Sequence, residues 1–167
     1  MKKSPLTSLD PVCGMPVKNS DSRYATQLGS TTYHFCSAQC LERFTDSPAL
    51  YTGARRLSDI RPIPKKHRLK FAQAPTDYLI VACQNLSQMM GVLQVLPGDH
   101  CLVIEYDLQL ISLKQIERAV SEAGLVLQGG LHRLRRELWQ FFEHNELDNF
   151  AHAGTGACCN RPPTRLR

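Results

Sequence analysis

Polar and apolar positions alternate through "RYATQLGSTTYHFC" at residues 23–36, on either side of "LGST", and this pattern predicts a β-hairpin. In its second strand Tyr33 and Phe35 share one face while His34 and Cys36 share the other. Ser37 is placed to cap a short helix over "AQCLERF", which "DSPALY" then stops. The texture changes from residue 76. "DYLIVAC" reads as a strand, and "LSQMMGVLQVL" as a helix with Leu86, Met89, Met90, Leu93 and Leu96 on one side. "HCLVIEY" predicts a second strand and "LVLQ" a third. Between them "SLKQIERAVSEAG" predicts a helix that starts at Ser112 and ends at Gly124. After Gly129-Gly130, "LHRLRRELWQFFEHNELDNFAHA" predicts a longer amphipathic helix. Its apolar stripe is Leu131, Leu134, Leu138, Phe141 and Phe142.

These elements divide the chain into a small module at 9–52, a linker at 53–75, an α/β domain at 76–130, a helix at 131–153 and a tail at 154–167. Residues 53–75 are assigned as linker because they hold three prolines and many arginines and lysines against one Asp, without apolar periodicity. The tail, "GTGACCNRPPTRLR", is expected to be irregular. No internal repeat is visible.

Composition adds bounds. At 43% hydrophobic and 21% charged, the chain is of ordinary globular type. Its N-terminus has two lysines but no apolar stretch of the kind a signal peptide needs, and its longest apolar runs are too short to span a bilayer. A cytoplasmic protein without a membrane span is the expectation. The net charge of +5 is too mild to imply nucleic acid, and no helix-turn-helix is recognisable.

Seven cysteines change the picture: Cys13, Cys36, Cys40, Cys83, Cys101, Cys158 and Cys159. In a reducing compartment clustered cysteines serve as metal ligands or redox thiols more often than as disulfides, and an odd number cannot all pair. Cys13, Cys36 and Cys40 have the spacing C-x22-C-x3-C. Cys36 precedes the helix cap and Cys40 lies in the first turn, where partial positive charge favours the thiolate. Cys13 comes from the knuckle "PVCGM", whose Gly14 permits a tight backbone. Three sulfurs favour Cu(I) or Zn(II) over hard cations. The fourth ligand is open between Met15, whose thioether would tilt the site to copper, and His34, whose imidazole would tilt it to zinc. His34 packing on the hairpin is the alternative.

"DPVCGMPV…YHFCSAQCLERFTDSPALY" resembles the YHS domain, a relative of the TRASH-like treble-clef metal modules. The DPVCGM start, the YxFCSxxC core and the following F-x(3)-P-x(2)-Y all occur in order. The resemblance implies metal binding by Cys13, Cys36 and Cys40, one ion per module, and a mini-core of Tyr33, Phe35, Phe44 and Tyr51. It also implies heavy-metal handling, as in modules attached to copper-type P-type ATPases. "VLQVLPGDHCLVIEYDLQLISLKQIERAVSEAGLVL" is similar to the heavy-metal-associated ferredoxin-like domain. It departs from that family in offering Cys83 and Leu86 where two loop cysteines stand, and in being short for two strands between Pro97 and Asp107. Both departures count against a metal at that family's site.

The expected fold is therefore α+β: a treble-clef-like hairpin and helix module, then a ferredoxin-like sandwich with a C-terminal helix. Cys83, Cys101, Met89 and Met90 read as core residues. Cys158 and Cys159 are either an incidental thiol pair or a secondary metal site. Trp139, Phe142 and Phe150 would close the second domain, any exposed part being available to a partner. No G-x-S-x-G, P-loop, H-E-x-x-H or redox C-x-x-C occurs, so catalysis is not expected. The leading expectation is a Cu(I)-handling protein that docks to a partner such as a copper-exporting ATPase. The rivals are a zinc-stabilised interaction module, a metal-responsive regulator that contacts DNA through the basic linker, and an accessory component of a metalloenzyme.

Overall fold

The computed structural model describes residues 7–19, 23–52 and 62–152. Two modules of mixed helix and strand lie side by side, an α+β arrangement.

In the first module β1 (Thr7–Leu9) pairs antiparallel with β2 (Pro16–Lys18) around a tight knuckle. Asp10 N donates to Met15 O at 2.9 Å and Gly14 N to Asp10 O at 2.8 Å. Gly14 has φ +75°, the left-handed region that a residue with a Cβ resists. β3 (Tyr24–Leu28) and β4 (Thr31–Phe35) form the expected hairpin around Gly29-Ser30. α1 (Ala38–Asp46) starts at Ser37, whose hydroxyl accepts from Cys40 N at 3.2 Å, and α2 (Pro48–Thr52) follows. The four expected aromatics do pack together: Phe44 lies 4.8 Å from Tyr33, 5.1 Å from Phe35 and 6.0 Å from Tyr51 between ring centroids.

The second module runs β5 (Pro64–Gln73), α3 (Thr76–Ser87), β6 (Val92–Gly98), β7 (Cys101–Asp107), α4 (Leu113–Glu122) and β8 (Val126–Leu127). Its four strands lie in the order β6-β7-β5-β8, every neighbouring pair antiparallel. Leu69 and Phe71 of β5 and Leu102, Ile104 and Tyr106 of β7 face one core with Ala82 and Leu86 of α3 and Ile116 and Val120 of α4.

Three expectations change here. Residues 64–73, assigned to a linker, are the strand β5. Its inward residues Leu69 and Phe71 alternate with exposed Lys66, Arg68 and Lys70, so the strand period was masked by the charge run. "DYLIVAC" is helical rather than extended: an unbroken apolar run fits either state, and tertiary packing of Ala82 and Leu86 decides for α3. "LSQMMGVLQVL" is then no helix. α3 ends at Ser87, the chain turns at Gly91, and Val92–Gly98 is the edge strand β6. Gly91 has φ +90°, and a Cβ there would meet Leu110 Cβ at 2.6 Å. The helix α4 is as expected, with a reciprocal capping box between Ser112 and Gln115 and Gly124 at φ +86°.

α5 (Leu131–His152) also forms, but it seats itself on the face opposite to the apolar stripe. His132, Arg136, Glu143 and Leu147 are buried, whereas Leu131, Leu134, Leu138, Phe141 and Phe142 are exposed. The inward polar groups each find a tertiary partner. His132 Nε2 accepts from Lys70 N at 3.0 Å, and Arg136 pairs with Glu117 at 2.6 Å. Glu143 accepts from Tyr106 Oη and, at 3.0 Å, from Leu113 N. Trp139 stacks on His67 at 4.3 Å. Trp139 and Phe150 close the core as expected, and Phe142 does not.

The modules meet along α1 and α2. Gln39 donates to Met90 O at 2.6 Å, Glu42 holds Arg118 at 2.6 Å, and Tyr51 Oη donates to Gln109 O at 2.5 Å. Arg43, only 1% exposed, donates to Leu108 O.

Candidate metal centre

The knuckle, the end of β4 and the first turn of α1 converge on one point. Cys13 Sγ lies 3.5 Å from Cys36 Sγ, which lies 3.6 Å from Cys40 Sγ. A disulfide needs about 2.05 Å, whereas sulfurs sharing a tetrahedral ion at ~2.3 Å lie about 3.8 Å apart. The spacing therefore suits ligands of one ion. Cys40 is buried, Cys13 is half-buried and Cys36 is exposed at the surface. A cleft of about 450 Å³ beside Cys36 is lined by Pro16, Val17, Lys18, Arg23, Tyr24 and Phe35. On the other side Cys13 borders a cavity of about 250 Å³ at the module junction, with Val12, Tyr51, Met90 and Leu110.

Sequence reasoning missed a fourth group, Asp10. Its carboxylate is wholly buried, and it joins the three sulfurs in a set whose ligand atoms all lie within 4.8 Å of one another. Oδ1 accepts from Val12 N at 2.8 Å and Cys13 N at 3.4 Å, and Oδ2 accepts from Cys36 N at 2.8 Å. One side chain thus ties the knuckle to the end of the hairpin. The only signal in the sequence is the acidic residue three places before Cys13.

Burial works against ionising Asp10, but the backbone N–H groups of Cys36 and Val12 outweigh it and hold the carboxyl below its usual range. The thiols respond the other way. Burial, with the neighbouring Cys36 and the Asp10 charge, pushes Cys13 up to about 12. Burial and the same Asp10 charge push Cys40 upward as well, although the Ser37 hydrogen bond opposes the shift. The helix terminus was expected to lower the Cys40 pKa; a buried site that already holds a carboxylate overrides it. These are thiols of the metal-free state, and a cation among them reverses the balance. The donor set fits a soft or borderline ion: three sulfurs, one anionic oxygen, and a tight cluster.

The other candidates stand as follows. Met15, two residues after Cys13, is 54% exposed. His34 sits on β4 outside the four-residue cluster, and its Nδ1 is buried without a hydrogen-bond partner among the described residues. Cys83 and Cys101 are half-buried in the second module and stand apart from the cluster. Cys158 and Cys159 lie outside the described residues. Among the described residues no helix is long and apolar enough to cross a membrane.

The module so built matches a known family: the YHS domain model covers residues 9–55, which take in the knuckle, hairpin, α1 and α2. The match ends before β5. No curated protein and no solved structure matches the chain.

Proposed function

We propose that this protein binds one Cu(I) ion through Cys13, Cys36 and Cys40 and passes it to a protein partner by thiolate exchange. The observation that carries the reading is the packing of three sulfurs at 3.5 and 3.6 Å around the buried carboxylate of Asp10. Exposure of Cys36 beside a cleft supports exchange, because an incoming thiol can approach that ligand first. The partner's thiol would lose its proton as the displaced cysteine of this site regains one. Knuckle, hairpin and helix support a treble-clef-like assignment of the first module. The strand order β6-β7-β5-β8, with α3 and α4 on one face, supports a ferredoxin-like assignment of the second. In this reading the second module docks to the partner, for example a copper-exporting P-type ATPase, and the protein is a carrier rather than an enzyme.

One observation favours a second reading. Asp10 supplies an anionic oxygen that would close a four-donor shell, the arrangement of a structural Zn(II) ion that never leaves. Anaerobic metal analysis with competition between Cu(I) and Zn(II), on the wild type and Cys36→Ser, separates the two. An exchangeable Cu(I) lost in the variant, with the fold intact without metal, supports the carrier. A Zn(II) whose removal unfolds residues 9–52 overturns it in favour of the structural ion. Absence of stoichiometric metal overturns both.

A further inference from the structure

We infer that the outer face of α5 is a dimerisation surface, on which α5 of a second copy of this chain packs antiparallel. Five large apolar side chains line this face with exposures of 86% for Leu131, 63% for Leu134, 50% for Leu138, 59% for Phe141 and 56% for Phe142. They lie directly opposite the buried seat of the helix at His132, Arg136, Glu143 and Leu147. The positions 131, 134, 138 and 141 repeat at alternating steps of three and four, the spacing at which side chains of one helix enter the gaps of another.

The available area agrees with a symmetric pair. From the sizes of leucine and phenylalanine, the five side chains offer roughly 500–600 Å² per helix, so a pair buries at most on the order of 1,000–1,200 Å², the lower limit of specific interfaces. Charge selects the direction. The first half of α5, 131–141, carries three arginines against Glu137, and the second half, 142–152, three carboxylates and no Lys or Arg. Arg133 is held by Glu137, Glu146 by Lys65 and Asp148 by His144, so the bias is one of net charge rather than of free side chains. An antiparallel crossing sets the basic half of each helix against the acidic half of the other, whereas a parallel pair sets like against like. A two-fold axis near Leu138 then places Leu134 against Phe142 of the partner subunit. Leu131, the most exposed of the five, reaches the groove of about 620 Å³ formed by Phe142, Asn145, Glu146, Asn149 and Phe150. The same charges argue against a lipid surface, since helices that lie on membranes flank their apolar face with cations, and here Glu137 lies beside Arg133 at 2.9 Å.

Sedimentation equilibrium of the full chain under reducing conditions tests the inference, at concentrations up to about 100 µM. The wild type is expected to dimerise. Leu138→Glu sets two carboxylates face to face at the axis and is expected to weaken the dimer at least a hundredfold with unchanged circular dichroism. Because Leu138 is half-exposed, the milder Leu138→Ser serves as the check if the first variant misfolds, with a loss of about tenfold. A wild type that remains monomeric overturns the inference, as does a dimer indifferent to Leu138→Glu and Phe142→Glu. A monomer that co-sediments with phosphatidylcholine–phosphatidylglycerol vesicles overturns it too and assigns the face to a membrane.

Discussion

The two modules of this protein reach order by different means. The core cluster of the first holds four buried residues, Val12, Phe35, Cys40 and Phe44, whereas that of the second holds sixteen, one of them Leu50 reaching in from α2 of the first. A unit as small as the first cannot bury enough surface to offset its chain entropy unaided, and such units recruit a metal, cross-links or a neighbour. Its polar atoms fill that role: Asp10 gathers the backbone of Val12, Cys13 and Cys36, and Gln39, Glu42 and Arg43 bind it to the second module. The second module needs no such help, because both helices press Leu, Ile and Val side chains against its sheet.

The sharpest test of this contrast is Cys40→Ser. It removes a buried thiol of the proposed metal site, and we expect the affinity for Cu(I) or Zn(II) to fall by about a hundredfold or more in competition with a chromophoric chelator. Hydrogen exchange should report opening of residues 9–52 while β5, β7 and α4 keep their protection. Ile116→Ala is the mirror image: it should cost the second module about 2–4 kcal/mol by urea denaturation with metal affinity retained. If Cys40→Ser instead loosens both modules equally, the contrast fails and the chain is one cooperative unit.

Acidity should act strongly on the first module's ligand chemistry. With Cys13 pushed up to about 12 and Cys40 shifted the same way, both thiols are protonated in the metal-free protein at neutral pH. Metal must displace those protons, so affinity rises with pH, by about a hundredfold per unit if two are released. Isothermal titration in buffers of different ionisation enthalpy counts the protons. Release of none would mean that the thiols are already ionised and that the Asp10 field is not felt.

Arg43 is the buried tie between the modules, and a smaller effect is expected from it. Arg43→Leu leaves Leu108 O without its donor and should weaken the docking by about 1–3 kcal/mol. In urea the transition of the first module, followed at its tyrosines, should then precede that of the second, followed at Trp139. Coincident transitions would show that the aromatic contacts of Tyr51 and the Glu42–Arg118 pair suffice to couple them.

The same division explains what could be read from the sequence. The hairpin, α1 and α4 were legible because each is written in local chemistry: Gly29 at the turn, Ser37 and Ser112 at the caps, Gly124 at the stop. β5, α3 and β6 were displaced by one element. A strand whose outward side is Lys66, Arg68 and Lys70 resembles a solvated linker until a sheet supplies its inner face. The seat of α5 was inverted because Arg136, His132 and Glu143 acquire their value only from Glu117, Lys70, Tyr106 and Leu113, all distant in sequence. Asp10 was overlooked for the same reason: its bond to Cys36 N spans 26 residues.

The smallest effects expected concern the two side chains that sequence spacing offered as fourth ligands. If Asp10 holds that position, Met15→Leu and His34→Phe should each change metal affinity by less than about threefold. Met15 is exposed on the knuckle, and a leucine there keeps the packing while deleting the sulfur. His34 has a buried Nδ1 without a hydrogen-bond partner among the described residues, so phenylalanine removes a polar atom that contributes nothing visible to the fold. Asp10→Asn is the counterpart. It keeps one acceptor oxygen but removes the charge, and the affinity should drop by tenfold or more while the thiols of the metal-free protein ionise more readily. A larger loss from His34→Phe than from Asp10→Asn would reverse the assignment. It would mean that metal draws the hairpin inward and leaves the carboxylate as the brace of the knuckle alone.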